Sequence, residues 1–515
     1  MKRPDRLAVG RVVATWWLPT VIACAVGALY VFYSVAQWRA LVVPSWDLGI
    51  FAEAVQAYSR FEAPIVPIKG PGYNLLGDHF HPILALLGPV YRLFPSALTL
   101  LVVQDGLIAA SVVPVARLAQ HLLGRGGALL VGLVYGLGWG LQGAVGAQFH
   151  EVCVAVPLLA LGGVAFVERR WGACMAWLAP LVLVKEDLGL TVFMAGLAIA
   201  WRARGEGRPA VLRGLAYALF GIIAFVVTVK VLLPAINPAG TWAYSLDGSA
   251  TGAGTPMGGS TAARQVPSLW DILTTPPVKL TTLLVLLAGA GFVGASSPWF
   301  ALVLPTLAWR FAGSVDTYYV WDSWHYNAVL VPIAACSLLD VIDRWLAPER
   351  ASRSASASAL AEAVGEDALN DLRTDHVATA SATRRRRAAA WAVACVPALS
   401  LAITASALPL WQLPTLTEDP RMAAAQGALD AVPEGASVET DTTLLARLVP
   451  GREVYWVGTS GTMDTPPEYV VIDVRSYAWG GQQVDAESWG SAAHPGHTYE
   501  TVYSKAGFRV ARRTS

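Results

Sequence analysis

The stretch VVATWWLPTVIACAVGALYVFYSV (12–35), followed by AQWRALVVP (36–44) and SWDLGIF (45–51), decides how the chain is read. The first part has no Asp, Glu, Lys or Arg and is long enough for the ~20 residues that a helix needs to cross a bilayer. A basic start, Met1 to Arg11, precedes it. A secretory signal would begin similarly, but this run outlasts a usual apolar region and lacks a clear small-residue cleavage site. It reads as a retained first transmembrane helix. The segment after it turns polar at once, and Asp47 stands at the start of an amphipathic pattern over Asp47 to Ala63.

Working outward, the pattern of the first helix recurs. Further apolar runs cover Ala97–His121, Ala128–Val145, Val152–Val167, Trp171–Val184, Leu188–Trp201, Val211–Leu233, Leu280–Val293, Trp299–Phe311, Asn327–Val341 and Ala388–Trp411. We expect an α-helical polytopic membrane protein with about eleven transmembrane helices. The runs flanking Lys185 and Pro298 are short enough to form re-entrant hairpins instead. The composition agrees: 55% of the 515 residues are hydrophobic and 14% charged, where soluble domains carry roughly a quarter charged. A net charge of +1 gives no global field for nucleic acid. Cys24, Cys153, Cys174, Cys336 and Cys395 lie in or beside apolar runs without C-x-x-C spacing, so neither a disulfide framework nor a zinc site is expected.

Lys and Arg in the short loops set the orientation. With the N-terminus cytoplasmic, that side receives Arg125, Arg169, Arg170, Arg202, Arg204, Arg208, Arg344 and the run Arg384 to Arg387. The protein is then expected in the plasma membrane, with its C-terminal segment external. The domains expected are 1–346, a membrane domain with an external loop at 36–94; 347–387, a cytoplasmic Ala/Ser-rich loop, disordered over Ala347 to Thr383; 388–411, the last transmembrane helix; and 412–515, an external soluble α/β domain. In that tail a helix is expected at Asp419 to Ala431 and strands at Ala436–Thr440, Val454–Gly458 and Tyr469–Val474. A terminal hairpin of Tyr499–Tyr503 and Phe508–Arg512 would turn at Ala506-Gly507. Pro234 to Pro277, rich in Gly, Ser, Thr and Pro, is expected to be a mobile loop.

Five polar clusters fall on the external side of this topology. They are Asp47; Asp78-His79-Phe80-His81; His150-Glu151; Lys185-Glu186-Asp187; and the run holding Asp322, His325 and Tyr326. Bland explanations cover part of them, though not Asp322 and His325, nor the mixed charges of Lys185-Glu186-Asp187, which suggest a packed or ligand-facing site. A carboxylate at a helix start suits the helix dipole, Asp78 suits a cap, and Trp and Tyr suit an interfacial belt. Gln104-Asp105 is different, since it falls inside an apolar run, where a carboxylate usually faces a partner or a cavity. The clusters gain weight by gathering at one face, while the cytoplasmic loops show only the basic residues that orientation requires.

The ordered set W-D-x-G-I-F (Trp46–Phe51), H-F-x-P (His79–Pro82), F-H (Phe149, His150), K-E-D (Lys185–Asp187) and H-Y (His325, Tyr326) resembles a bacterial and archaeal membrane family defined as a domain of unknown function. The resemblance covers most of the chain, including Tyr469-Val470-Val471-Ile472-Asp473 in the tail. That family is in turn similar to the GT-C glycosyltransferases, such as protein mannosyltransferases and aminoarabinose transferases. The resemblance implies a GT-C-like fold with Asp47 in the acidic position of the first external loop and His79 to Pro82 in the polar-Pro position. Leu48 and Gly49 follow Asp47 where that superfamily commonly has an acidic pair.

It also implies a membrane glycosyltransferase that moves a sugar from a polyprenyl-phosphate donor to a cell-envelope glycan, lipid or protein acceptor. Asp47 would be the catalytic base of an inverting single displacement. Substrate would be bound by His79, His81, His150, Glu151, Lys185, Glu186, Asp187, Asp322, His325 and Tyr326. No cofactor is implied with certainty, and a divalent metal is left open. Two other classes remain: a transporter or flippase of a lipid-linked or polar solute, which inverted repeats and broken midplane helices would mark, and a non-catalytic envelope assembly protein. No clear repeat is visible in the sequence.

Overall fold

The structure, a computed structural model, describes residues 6–237, 240, 268–313, 315–362, 366–461 and 463–514; for 6–15, 269 and 349–381 it describes the backbone alone. The opening apolar run lies in α1 (Arg6–Arg39). The first loop contributes α2 (Asp47–Ser59) and the short α3 (Gly88–Leu93). Two expected spans merge into α4 (Ala97–Gly136), which breaks at Gly124 with φ 79° and ψ −170°, a backbone state that glycine reaches without a Cβ clash. Next come α5 (Trp139–Gly146), α6 (Ala155–Val167), α7 (Trp171–Leu178), α8 (Leu188–Arg202) and α9 (Arg208–Val227). The bundle closes with α10 (Leu233–Ile236), α11 (Leu269–Thr274), α12 (Val278–Gly289), α13 (Val303–Ala312), α14 (Leu330–Glu362) and α15 (Glu366–Thr404).

Every apolar run expected to span is mostly helical, with short non-helical breaks in several, as at Gly138 and Leu408. By length and composition, four helical stretches among the described residues are sufficient to cross a membrane: Trp16–Arg39, Ala97–Gly146, Arg208–Ile236 and Ala382–Ala407. Others, including Trp171–Leu183 and Leu188–Arg202, are apolar but only 10–17 residues long. The five cysteines are free.

The stretch 347–383, expected to be disordered, instead has helical backbone over 347–362 and from 366 onward. Its alanines and long charged side chains favour helix, which outweighs the low hydrophobicity that suggested disorder. Most of the expected loop Pro234 to Pro277 lies outside the described residues, as do the first five residues of the basic start.

The tail is a small α/β unit: α16 (Met422–Asp430), β1 (Ser437–Thr440), α17 (Thr442–Leu448), β2 (Glu453–Trp456), β3 (Tyr469–Asp473), α18 (Ala486–Ala493), β4 (Tyr499–Lys505) and β5 (Phe508–Arg513). The sheet order is β2-β1-β3-β5-β4. β1 runs parallel to β2 and β3, and β5 runs antiparallel to β3 and β4. The expected strands and terminal hairpin are present. The short helices α17 and α18 were not foreseen, although Asp441 and Asp485 cap them.

The tail does not pack alone. One hydrophobic core joins Leu48, Phe51, Val55 and Ile68 of the first loop to Ala425, Leu445, Val454 and Phe508 of the tail. A Cβ on Gly49 would meet Leu445 Cδ2 at 2.9 Å, so glycine lets α17 seat on α2. The buried Glu53 side chain accepts from Ile68 N at 3.1 Å and from Val454 N at 3.3 Å, tying the loop to β2. Trp46 and Trp456 meet edge to face at 5.2 Å. The start of α2, and Asp47 with it, is therefore held from both sides.

Candidate functional site

Asp47 occupies the first turn of α2, where the helix dipole favours a carboxylate. Its Oδ2 lies 3.5 Å from Nε2 of His150. Burial pushes the Asp47 carboxyl up, but His150 and the Ser45 hydroxyl outweigh it and hold the group below the ordinary aspartate value. His150 stacks on His325 with ring centroids 3.6 Å apart and planes 20° from parallel. His325 in turn lies 4.0 Å from the Tyr326 ring.

Two backbone features bring the histidines together. A Cβ on Gly140 would meet Asn327 O at 2.5 Å, and one on Gly143 would meet Trp324 O at 2.8 Å, so the 323–327 turn lies directly on α5. Gln148 (φ 71°) and Trp324 (φ 61°) sit in the positive-φ region close to His150 and His325. Such strain costs about 1–3 kcal/mol per residue and concentrates at functional sites. Gln104 steadies the first turn, because its Oε1 accepts from His150 N at 3.1 Å while its Nε2 donates to Gln148 O at 3.1 Å.

A second set of pairs adjoins the histidines. Lys185 Nζ donates to Glu151 Oε1 at 2.8 Å. His79 Nδ1 lies 2.8 Å from Glu186 Oε1, and Phe80 N donates to Glu186 Oε2 at 3.1 Å. Burial raises Glu151, yet Lys185 and His150 bring it down to about 2. Burial lowers Lys185, but Glu151, Glu186 and Asp187 hold it well above its ordinary value. His79 is raised because Glu186 outweighs the burial that lowers it. Burial pushes His81 down to about 4, and burial with His150 and Lys185 nearby keeps His325 well below its ordinary value. Asp187 is pushed up to about 6 by burial, and its Oδ2 accepts from Trp309 Nε1 at 2.9 Å. The charges of Asp47, Glu151 and Lys185 all act on Tyr326. The two sets therefore form one cluster containing cationic, anionic and neutral groups side by side.

Of the expected site residues, Asp47, His79, His81, His150, Glu151, Lys185, Glu186, Asp187, His325 and Tyr326 come together here. Asp322 is half-buried on the same loop and accepts only from its neighbour Ser323, at 3.3 Å, among the described residues. Asp78 pairs with Lys69 at the edge. Asp105 is fully buried with neither oxygen hydrogen-bonded among the described residues. Arg117 packs over the Trp16 ring instead of reaching Asp105. Among the described residues no group of three His, Cys, Asp or Glu side chains is arranged to hold a metal ion.

Sequence reasoning missed Arg310. It is fully buried, donates to Tyr318 O at 2.8 Å and Tyr326 O at 3.2 Å, and so pins the loop that bears His325. Its signal was an arginine inside an apolar run. Asp340 was missed as well, and it amends the one-face picture. From about 20 Å further along α14, it accepts from Arg202 Nη2 at 3.1 Å and from Ser297 Oγ at 2.8 Å, with Arg344 Nε 3.3 Å away.

The family model described as predicted membrane protein (DUF2079) matches residues 38–510, and the chain belongs to that family. A comparison with curated proteins finds no match. Among solved structures, the chain is similar to ArnT from Cupriavidus metallidurans bound to undecaprenyl phosphate. The identity is 14%, covering 95% of this chain and 97% of that one, with a TM-score of 0.46.

Proposed function

We propose that this DUF2079 membrane protein is a glycosyltransferase that moves a sugar from a polyprenyl-phosphate donor to a cell-envelope acceptor at the external face of the plasma membrane. One observation carries the reading. Residues from five separate parts of the chain meet in one cluster where a carboxylate is held in its basic form beside buried imidazoles and a lysine. The resemblance to GT-C enzymes at the acidic position, Asp47, and at the polar-Pro position, His79 to Pro82, supports the same reaction class, and the Lys and Arg distribution in short loops supports the external orientation.

In the proposed reaction Asp47 accepts the proton of the acceptor hydroxyl as that oxygen attacks the anomeric carbon. The new glycosidic bond forms while the bond from the anomeric carbon to the phosphate oxygen breaks. The electron pair leaves with the polyprenyl phosphate, and single displacement inverts the anomeric centre. Donors aimed at the leaving oxygen matter most, because charge develops there. Lys185 supplies a cationic donor steadied by Glu151, His79 an imidazole whose protonated form Glu186 favours, and His325 an imidazole kept neutral. His150, facing Asp47, orients the base.

The test uses purified protein with radiolabelled polyprenyl-phosphate sugars and a cell-envelope fraction as acceptor, comparing wild type with Asp47→Asn. Label should pass to the acceptor with the wild type and not with the variant. Equal transfer by both proteins would remove Asp47 from its role, and no transfer from any donor would sink the reading.

A further inference from the structure

The cluster is closed on most sides. The side chains of His150, Glu151 and Glu186 are 3–4% exposed, whereas His79 is 26% and Asp47 31% exposed, so the cluster reaches solvent at His79 and at Asp47, and the second opening is the one beside the tail. The tail borders that opening. Leu445 of α17 rests on Gly49, two residues on from Asp47, which sets the N-terminal end of α17 beside the start of α2.

That end of α17 carries the segment 476–481. Ser476 Oγ lies 3.2 Å from Thr442 Oγ1. Trp479 Nε1 donates to Asp441 Oδ2 at 3.3 Å, and the same oxygen accepts from Asp473 N at 2.6 Å. Trp479 also packs edge to face on Trp489 at 6.0 Å. Thus the segment is fixed at several points, but Tyr477 between them is 61% exposed. Burial raises its hydroxyl above the ordinary value, Thr442 at the end of α17 lowers it, and the charge of Asp47 raises it further.

An exposed aromatic ring on a segment anchored on both sides of it, beside hydroxyls and a carboxylate, suits a carbohydrate. A sugar ring has an apolar C–H face that stacks on an aromatic face and an edge of hydroxyls for the polar groups. We propose that the 476–481 segment, with Tyr477 as its platform, is a carbohydrate subsite that presents an acceptor hydroxyl to Asp47. The proposal rests on the transferase reading for its purpose, but its binding test does not.

The experiment uses the full chain in lipid nanodiscs with methyl hexopyranosides and methyl pentofuranosides as probes, followed by saturation-transfer NMR and titration. Wild type should transfer saturation to some of these glycosides. Tyr477→Ala should weaken their binding about five- to tenfold, with Tyr477→Phe staying within about twofold because the ring remains. Thermal melts should match, since the ring is mostly outside the core. No saturation transfer to any probe, or equal titration curves for wild type and Tyr477→Ala, would overturn the subsite. Glycoside binding lost with Tyr477→Ala, in a protein that turns over no polyprenyl-phosphate sugar, would uphold the subsite and sink the transferase reading. Sugar transfer by Tyr477→Ala with an unchanged acceptor KM would do the reverse.

Discussion

The two ends of the helical bundle hold buried carboxylates in different ways. At the end away from the tail, Asp340 has no exposed surface, and both its oxygens are engaged by Arg202, Arg344 and Ser297. At the tail end, Asp47 is partly exposed and faces a single imidazole at 3.5 Å. Nearby, His325 Nδ1 and His81 Nδ1 are buried without a hydrogen-bond partner among the described residues. A saturated carboxylate ties α8, α14 and the 297 turn together and has no capacity left for a substrate. An under-committed one, kept ionised, can take a proton. On the proposed reading, buried charge serves stability at one end and chemistry at the other, and the number of partners distinguishes them.

The largest expected effect breaks the chemical end alone. Asp47→Asn should lower sugar transfer about 10²- to 10⁴-fold and leave the melting temperature in nanodiscs almost unchanged. A melting temperature that falls while transfer survives would make Asp47 structural. Asp340→Leu should do the opposite, because it leaves two arginines without their anion. Breaking a buried pair this way costs about 3–5 kcal/mol, to be read by denaturant unfolding, while activity per folded molecule stays near wild type. If activity vanished in a fully stable Asp340→Leu protein, the contrast between the ends would be wrong.

Smaller effects sharpen the picture. Gly49→Val should force Leu445 off α2, for about 1–3 kcal/mol of overpacking, and expose the junction between tail and loop to limited proteolysis. The Lys185–Glu151 pair predicts a pH dependence. Glu151 is depressed from 4.5 to about 2, so its contribution to stability is full above 4.5 and is lost as pH falls toward 2. Lys185 is raised above 10.5, so its contribution is full below that value and is lost only as pH rises beyond it. Melting temperature measured from pH 7 down to 3 should fall more steeply in wild type than in Lys185→Met, which lacks the pair. Parallel curves would show that the pair contributes nothing.

Much of the architecture was legible because membrane helices and half-buried strands announce themselves locally. The apolar runs gave the helices, and alternation with a turn at Ala506-Gly507 gave the terminal hairpin. The helical backbone at 347–362 and from 366 went unread because hydrophobicity was weighed above helix propensity there. α17 was missed because seven residues carry little periodicity. Within the site, motif residues such as Asp47 and His325 were conspicuous as polar groups beside apolar runs. Arg310 was not, since one arginine in an apolar run looks like any interfacial side chain.

By itself the sequence determined which residues are costly to bury and where the chain must be helical, because both follow from local composition and spacing. Only the tertiary structure decided which of those residues share a site. His150 meets His325 because Gly140 and Gly143 let a distant turn lie on α5, and Asp47 is fixed by a tail whose core residues lie some four hundred positions along the chain. Such contacts depend on close packing between elements far apart in sequence, which no local pattern encodes.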